Sequence, residues 1–280
     1  MRVLAMLDGT LADPDRPQLR VDDLGVMRGD GVFETVLVTE GKPREMGPHL
    51  DRLARSAAML DLPEPDRDAW TACARLVLDN WTGGAELAMK LVYTRGIEGG
   101  DGTPTGFALA TDIAPAVLRQ RRDGVAAITL ARGIEPGAAE QAPWLLLGAK
   151  ALSYAVNMAA LREAARRGAD EVIFTESGGS VLEGPTSTVV VAEGRTLRTP
   201  PSTLGILPGT TQHALFRAAA QADWTVEVEP IAMADLHRAD GVMLASSVRK
   251  ITRVHTLDGT RLTETPGLHA ELLKLYESEY

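Results

Sequence analysis

Trp144-Leu145-Leu146-Leu147-Gly148-Ala149-Lys150 is an apolar run that ends on a lysine and leads into the alanine-rich stretch Ala151 to Arg167. A solvated lysine has a pKa of about 10.4 and is a poor nucleophile near neutrality, whereas one set among apolar neighbours loses hydration of its charge. Such an amine can condense with a carbonyl or take a proton from carbon. Two readings of Lys150 are open from this stretch alone: a desolvated reactive amine, or a snorkelling side chain with its stem on apolar surface and its amine in water. The other lysines sit elsewhere: Lys42 after Gly41 in a turn, Lys90 in a strand, Lys250 in the pair Arg249-Lys250, and Lys274 on a C-terminal amphipathic helix.

The rest of the composition narrows the class. A chain of 280 residues, 45% hydrophobic and 24% charged, is long enough for one large domain or two of ordinary size. Its net charge of -9, without a lysine-rich block or a basic aromatic patch, argues against nucleic acid as a partner. No run approaches the roughly 18 apolar residues of a membrane span, and Met1 to Asp8 holds too short an apolar stretch for a signal peptide. The single cysteine, Cys73, cannot form an internal disulfide and suits a reducing cytosol, so a cytoplasmic protein is expected. The histidines, His49, His213, His237, His255 and His269, show no metal-ligand spacing, and no metal is expected.

Along the chain, Val3 to Leu7 and Val32 to Val38 read as strands, and Pro48 to Leu60 reads as a helix with Leu50, Leu53 and Ala57 on one face. Asp66 to Trp81 follows as a second helix, then Glu86 to Tyr93 and Gly106 to Ala110 as paired strands. Ala114 to Gly124 has little strand character and is read as an interdomain linker. The expected division is therefore 1–113 as an N-terminal α/β domain, 114–124 as linker, and 125–280 as a C-terminal domain that carries Lys150. After Lys150 comes a helix of about four turns, with Arg166 and Arg167 at its negative end and Gly168 just past it. Strands at Val172 to Thr175, Val181 to Glu183, Thr188 to Ala192, Thr225 to Glu229 and Val242 to Ser246 alternate with helices at Gln212 to Ala222 and Pro266 to Tyr280. Strands outnumber strand-helix-strand crossovers, which predicts an α+β protein and not a doubly wound sheet.

Two further segments carry chemistry. Pro208-Gly209-Thr210-Thr211 opens a helix, where backbone N–H groups, two hydroxyls and the helix dipole suit a phosphate; ordinary helix capping is the competing reading. Arg52 is either a second phosphate group or a solvated helix charge. Glu183, held between a tight turn and Gly184-Pro185, is either a carboxylate able to keep a pyridine nitrogen protonated or an exposed strand-end acid. Gly29-Asp30-Gly31 lacks the spacing of a dinucleotide fingerprint, and no Gly-x-Ser-x-Gly elbow or Walker lysine is present.

Taken in order, Arg28-Gly29-Asp30-Gly31-Val32-Phe33-Glu34-Thr35, His49-Leu50-Asp51-Arg52-Leu53, Lys150, Glu183-Gly184-Pro185-Thr186-Ser187-Thr188 and Leu207-Pro208-Gly209-Thr210-Thr211 resemble the fold type IV pyridoxal phosphate enzymes. These class IV aminotransferases include branched-chain aminotransferase, D-amino acid aminotransferase and aminodeoxychorismate lyase. The resemblance implies a two-domain α+β enzyme with pyridoxal 5'-phosphate in the cleft between its domains. It makes Lys150 the Schiff-base lysine and acid/base, and Glu183 the partner of the pyridine nitrogen. Arg52, Gly209, Thr210, Thr211 and Ser247 fall at cofactor-binding positions, and Phe33 and Arg95 at substrate-binding ones; a structural strand-end arginine is the competing reading of Arg95, and Arg249 and Lys250 are further candidates for a substrate carboxylate. A homodimer, with a loop reaching over from the neighbouring subunit, is implied as well.

Within the family, D-amino acid aminotransferases use tyrosine where this chain has Phe33, and an Arg-x-His pair that is absent after Thr94-Arg95-Gly96. Branched-chain enzymes carry a Ser-Gly-Thr-Ala loop where this chain has Ser246-Ser247-Val248-Arg249-Lys250. The glycine-rich loop after Arg95 and the stretch Leu147 to Asn157 look more like aminodeoxychorismate lyase. The expectation is a lyase acting on an anionic amine, 4-amino-4-deoxychorismate, to give 4-aminobenzoate and pyruvate for folate synthesis. The alternative is an aminotransferase for branched-chain L- or for D-amino acids.

Overall fold

A computed structural model describes all 280 residues. They fall into two compact units, Met1–Ala114 with Ala149–Tyr154, and Pro115–Gly148 with Ala155–Tyr280.

The first unit contains β1 (Arg2–Met6), β2 (Leu11–Ala12), α1 (Leu24–Arg28), β3 (Gly31–Thr39), β4 (Lys42–Pro43), α2 (Met46–Met59), α3 (Arg67–Asp79), β5 (Glu86–Thr94) and β6 (Thr105–Asp112). Its six-stranded sheet runs β2-β1-β6-β5-β3-β4, each neighbouring pair antiparallel. The strands alternate as a sheet with one covered face should. On β5, Leu87, Met89 and Leu91 are buried while Lys90 is exposed. Helix α2 packs on β3 and α3 on β1 and β6, closing that face with Leu50, Leu53, Ala57, Trp70 and Val77, all buried. One polar residue interrupts the apolar face: Glu34 on β3 is fully buried.

The second unit contains α4 (Pro115–Asp123), β7 (Val125–Ala131), α5 (Ala138–Gln141), α6 (Ala155–Arg166), β8 (Glu171–Thr175), β9 (Glu183–Gly184), β10 (Ser187–Glu193) and β11 (Thr196–Thr199). It continues through α7 (Thr210–Gln221), β12 (Thr225–Val228), α8 (Met233–Arg238), β13 (Gly241–Ser246), β14 (Lys250–Leu257), β15 (Thr260–Arg261) and α9 (Leu268–Ser278). Its nine-stranded sheet follows the path β12-β11-β10-β13-β14-β7-β8, with β9 on β10 and β15 on β14. Pairing is mixed: β7 is parallel to β8 and β14, β11 is parallel to β12, and the rest is antiparallel. β10 is buried from Ser187 to Ala192, so both of its faces are covered and its sequence reads as one continuous valine run. Val189 and Val191 belong to one apolar cluster with Leu236 and Leu244, while Val190 and Ala192 join another with Leu215 and Leu272 of α7 and α9.

Two expectations are corrected here. Pro115–Asp123, read as linker, is a helix of the second unit. Lys150, assigned to the C-terminal domain, groups with the first unit, because Ala149–Tyr154 makes its contacts there. The helix after Lys150 also begins later than its alanine content suggests. Residues 151 to 154 are extended or turned, and only Ala155–Arg166 is helical. No helix is long and apolar enough to cross a membrane.

Candidate active site

Lys150 lies on an extended segment laid along β3. The Phe33 N–H donates to the Lys150 carbonyl at 3.0 Å and the Leu152 N–H to the Gly31 carbonyl at 2.8 Å, flanking an antiparallel bridge between Val32 and Ala151. Gly31 permits this approach, since a Cβ there would stand 2.7 Å from the Tyr93 carbonyl oxygen and 2.8 Å from Leu152 Cδ1. The Lys150 N–H donates to Ser56 Oγ of α2 at 3.1 Å.

The Lys150 side chain runs to aromatic faces. Its Nζ stands 4.4 Å from the Phe33 ring centroid and 5.8 Å from that of Tyr154. The two rings meet edge to face at 5.3 Å. The leading residues of the apolar run do not supply this setting: Trp144 is 75% exposed and Leu145 46% exposed. Phe33 and Tyr154 supply it, and each ring face also attracts a cation.

On the inner side of β3, the α2 residues His49, Arg52 and Ser56 recur at helical spacing and are all buried. Arg52 is not a solvated helix charge. Its Nε and Nη2 donate to the two oxygens of Glu34, both at 2.7 Å, a forked pairing that fixes the guanidinium plane. His49 Nδ1 lies 2.7 Å from Glu34 Oε2; an ionised carboxylate only accepts, so Nδ1 carries the proton. Burial opposes the charge on Glu34, but the Arg52 guanidinium and the His49 hydrogen bond outweigh it and hold the carboxyl well below its usual range. Burial lowers the His49 pKa; Glu34 acts against this, and the charges of Arg52 and Lys150 reinforce it. In sequence, Glu34 and His49 stand out only as parts of a motif. The one independent signal is a charged residue inside an alternating apolar strand, at Glu34.

Arg95 departs from its expected role. Its Nε donates to Asp30 at 2.6 Å and Nη2 to the same carboxylate at 3.1 Å, while Nη2 and Nη1 reach the Leu60 and Asp61 carbonyls. Nε and Nη2 hold Asp30 just before β3, and Nη2 and Nη1 tie the end of β5 to the end of α2, the geometry of a structural strand-end arginine.

In the second unit, Glu183 is set by strand register. It pairs with Thr188 across the β9–β10 turn, and Thr188 pairs on its other side with Ala245 of β13. Glu183 Oε2 accepts the Leu207 N–H at 3.0 Å, which ties this carboxylate to the loop entering α7. Gly209 caps α7 without a side-chain hydrogen bond, and a Cβ on it would collide with Thr188 Oγ1. Thr210 and Thr211 are buried at the helix start. Ser247 lies in the β13–β14 turn, two residues beyond Ala245.

Arg132, which carries no motif in the sequence, donates to the Gly205 and Leu204 carbonyls, both at 2.8 Å. Burial lowers its pKa, against the opposing charges of Glu183 and Glu176. Arg249 and Lys250 are engaged elsewhere: Arg249 forms a buried ion pair with Glu171, and Lys250 Nζ reaches Glu277 at 2.9 Å.

This donor set fits a phosphate-bearing cofactor. The α7 start has a bare glycine cap, two buried hydroxyl residues and the positive end of the helix dipole. Ser187 Oγ and Gln212 Nε2, beside these residues in sequence, are buried without a hydrogen-bond partner, as polar atoms are where a polar ligand completes them.

Comparison with known proteins agrees with this chemistry. The family model for amino-transferase class IV matches residues 31–257. A bifunctional aminodeoxychorismate lyase / D-amino acid transaminase of Mycobacterium tuberculosis is 45% identical over 94% of both chains. Among solved structures, a hypothetical aminotransferase from Mycobacterium tuberculosis in its PLP-bound form superposes with a TM-score of 0.96 at 44% identity, covering 100% of this chain and 98% of the other. A fold IV transaminase from Curtobacterium pusillum gives a TM-score of 0.93 at 42% identity over 99% of each chain. The α+β, fold type IV expectation therefore holds, and the chain belongs to the class IV aminotransferase family.

Proposed function

We propose that this protein is a pyridoxal phosphate-dependent aminodeoxychorismate lyase, acting in the cytoplasm as a homodimer. It would convert 4-amino-4-deoxychorismate to 4-aminobenzoate and pyruvate, a step toward folate. The observation that carries the reading is Lys150, fixed at both of its main-chain groups with its amine against two aromatic rings. The 45% identical relative, whose name includes the same lyase activity, supports the choice of substrate.

When bound, the cofactor supplies a carbonyl for the substrate amine and a pyridinium that accepts electron density. Arg52, Gly209, Thr210, Thr211 and Ser247 would hold its phosphate, and Glu183 would keep a proton on its ring nitrogen. Lys150 Nζ takes the proton from the amine-bearing ring carbon of the substrate. The electron pair left behind expels the enolpyruvyl group as the ring becomes aromatic, and the Lys150 ammonium returns a proton so that the leaving group departs as pyruvate. Phe33 and Tyr154 exclude water from around the amine.

The second reading is an amino acid transaminase, in which Lys150 would take the same proton and pass it on with no enolpyruvyl group to expel. The name of the same relative, which joins lyase to D-amino acid transaminase, favours it as an added activity.

The test is incubation of the cofactor-loaded protein with enzymatically generated aminodeoxychorismate, following 4-aminobenzoate and pyruvate with Lys150→Ala as control. Equimolar products that vanish in the variant are expected. No product from a yellow, loaded protein would overturn the lyase reading, and a panel of D- and L-amino acids with a keto-acid acceptor would then decide the transaminase one.

A further inference from the structure

We infer that Ser56 is a positioning residue for Lys150, its hydroxyl oxygen fixing the main chain from which the amine projects. The inference rests on the reading of Lys150 as the reactive amine. In an antiparallel pair, backbone groups point alternately toward and away from the partner strand. The Lys150 carbonyl faces β3 and accepts from Phe33, and the next inward bond is the Leu152 N–H to Gly31. The Lys150 N–H points the other way, where no further strand lies within this unit to receive it. Ser56, 1% exposed on α2, takes that place with an Oγ at 3.1 Å.

Lys150 is thus gripped from both sides, and the two grips fix the direction in which its Cα–Cβ bond leaves the segment. Ser56 also stands one turn beyond Arg52 on the same buried helix face. The helix that Glu34 locks in place through Arg52 and His49 is therefore the helix that holds the lysine. Removal of the hydroxyl takes away this acceptor from the part-buried Lys150 N–H, and the segment relaxes about its remaining bonds.

The chain's five lysines, Lys42, Lys90, Lys150, Lys250 and Lys274, make the test direct. Holoenzyme labelled with ¹⁵N-lysine gives one backbone amide signal per lysine, and loss of one signal in Lys150→Arg identifies that of Lys150. In Ser56→Ala, amide exchange at Lys150 is expected to accelerate about tenfold or more, a change of roughly 1.4 kcal/mol, while the other four hold. Turnover should fall by about tenfold with KM within about threefold. Ser56→Thr, which keeps the acceptor, should restore both. Should Ser56→Ala fail to fold, Ser56→Cys keeps nearly the same volume with a weak acceptor and should give an intermediate acceleration.

Unchanged Lys150 exchange and unchanged kcat in the alanine variant would overturn the inference, as would uniform acceleration at all five amides, the signature of a merely structural residue. Full turnover in Lys150→Arg would instead sink the reading of the lysine, while the exchange data still decide whether Ser56 anchors it.

Discussion

The two units hold their candidate site residues by different physical means. In the first, placement depends on buried side chains: Glu34 forks onto Arg52, His49 leans on the same carboxylate, and Ser56 holds the lysine backbone. In the second, placement depends on the main chain: Glu183 is set by strand register and the Leu207 N–H, and the start of α7 by a glycine with no room for a Cβ. A buried side-chain network is sensitive to single charges, because removing one partner strands the other in a low-dielectric setting. A backbone site is sensitive to volume and to chain geometry. Substitutions in the Glu34, Arg52 and His49 network should therefore register mainly as changes in stability and its pH dependence, and those at the start of α7 as changes in cofactor affinity.

The largest effect expected is a loss of activity by about 10³-fold or more in Lys150→Ala, which removes the amine proposed to take the proton. Its unfolding free energy should stay within about 1 kcal/mol of the parent, because Ser56 and Phe33 bond to the main chain and not to the side chain. Chemical denaturation of the variant checks this, and a large drop would blur the contrast between a reacting group and its scaffold.

Next comes Glu34→Gln, expected to cost about 3 kcal/mol at pH 7 by leaving Arg52 buried against a neutral amide. The sign of its pH dependence follows from the depressed Glu34 pKa. The carboxylate stabilises the fold above its unfolded value of about 4.3, and the contribution is lost as pH falls below that. The difference between parent and variant, followed by urea midpoints from pH 7 to 3, should shrink only below about 4.3. A constant difference would mean that packing and not charge holds Arg52.

Gly209→Ala tests the backbone site. Its new Cβ meets Thr188 Oγ1, so the loop before α7 must shift and carry the first N–H groups of the helix with it. Cofactor affinity should weaken by roughly tenfold, with little change in denaturation of the cofactor-free protein, as read by fluorescence titration. Equal losses in both would break the distinction drawn between the units.

His49→Asn should produce a smaller effect. The lowered pKa of His49 means that the folded protein binds fewer protons there than the unfolded chain. Parental stability should therefore decline as pH falls through the unfolded value of about 6.5. The variant should lose that slope between about pH 6.5 and 5, visible in thermal melts across the interval. Smallest of all is Arg95→Ala, expected to cost about 1 kcal/mol because its pair with Asp30 is partly exposed. It should leave KM for the amine substrate unchanged, and a rise of tenfold or more would restore the substrate role that its hydrogen bonds argue against.

Much of this architecture is legible in the amino-acid sequence. Alternation in Val32 to Val38 and the helical spacing of Leu50, Leu53 and Ala57 report their burial, since one period of side chains faces one apolar layer. The Gly209-Thr210-Thr211 helix start is readable for a similar reason: capping and chain direction are written within a few residues. Lys150 stands out in sequence on a local argument that fails, because its leading residues Trp144 and Leu145 face solvent and its aromatic surround includes Phe33, distant in sequence. Its grouping with the first unit is unreadable for the same cause. Strand pairing to β3 is a long-range contact, and no periodicity within 144–154 announces it. Arg52 and Arg95 are ambiguous in sequence, because a guanidinium looks the same whether its carboxylate partner is buried or absent.

The bond between Lys150 and Ser56 joins residues 94 positions apart, and this bears on how the chain is built. Everything else in the first unit is synthesised by Ala114, yet the edge of β3 still awaits Ala149–Tyr154. A nascent chain emerging from the ribosome can thus assemble the six-stranded sheet early, while the amine arrives only after a further stretch of the second unit has been made. Contacts of such separation form slowly, so acquisition of activity during refolding should lag behind acquisition of sheet structure.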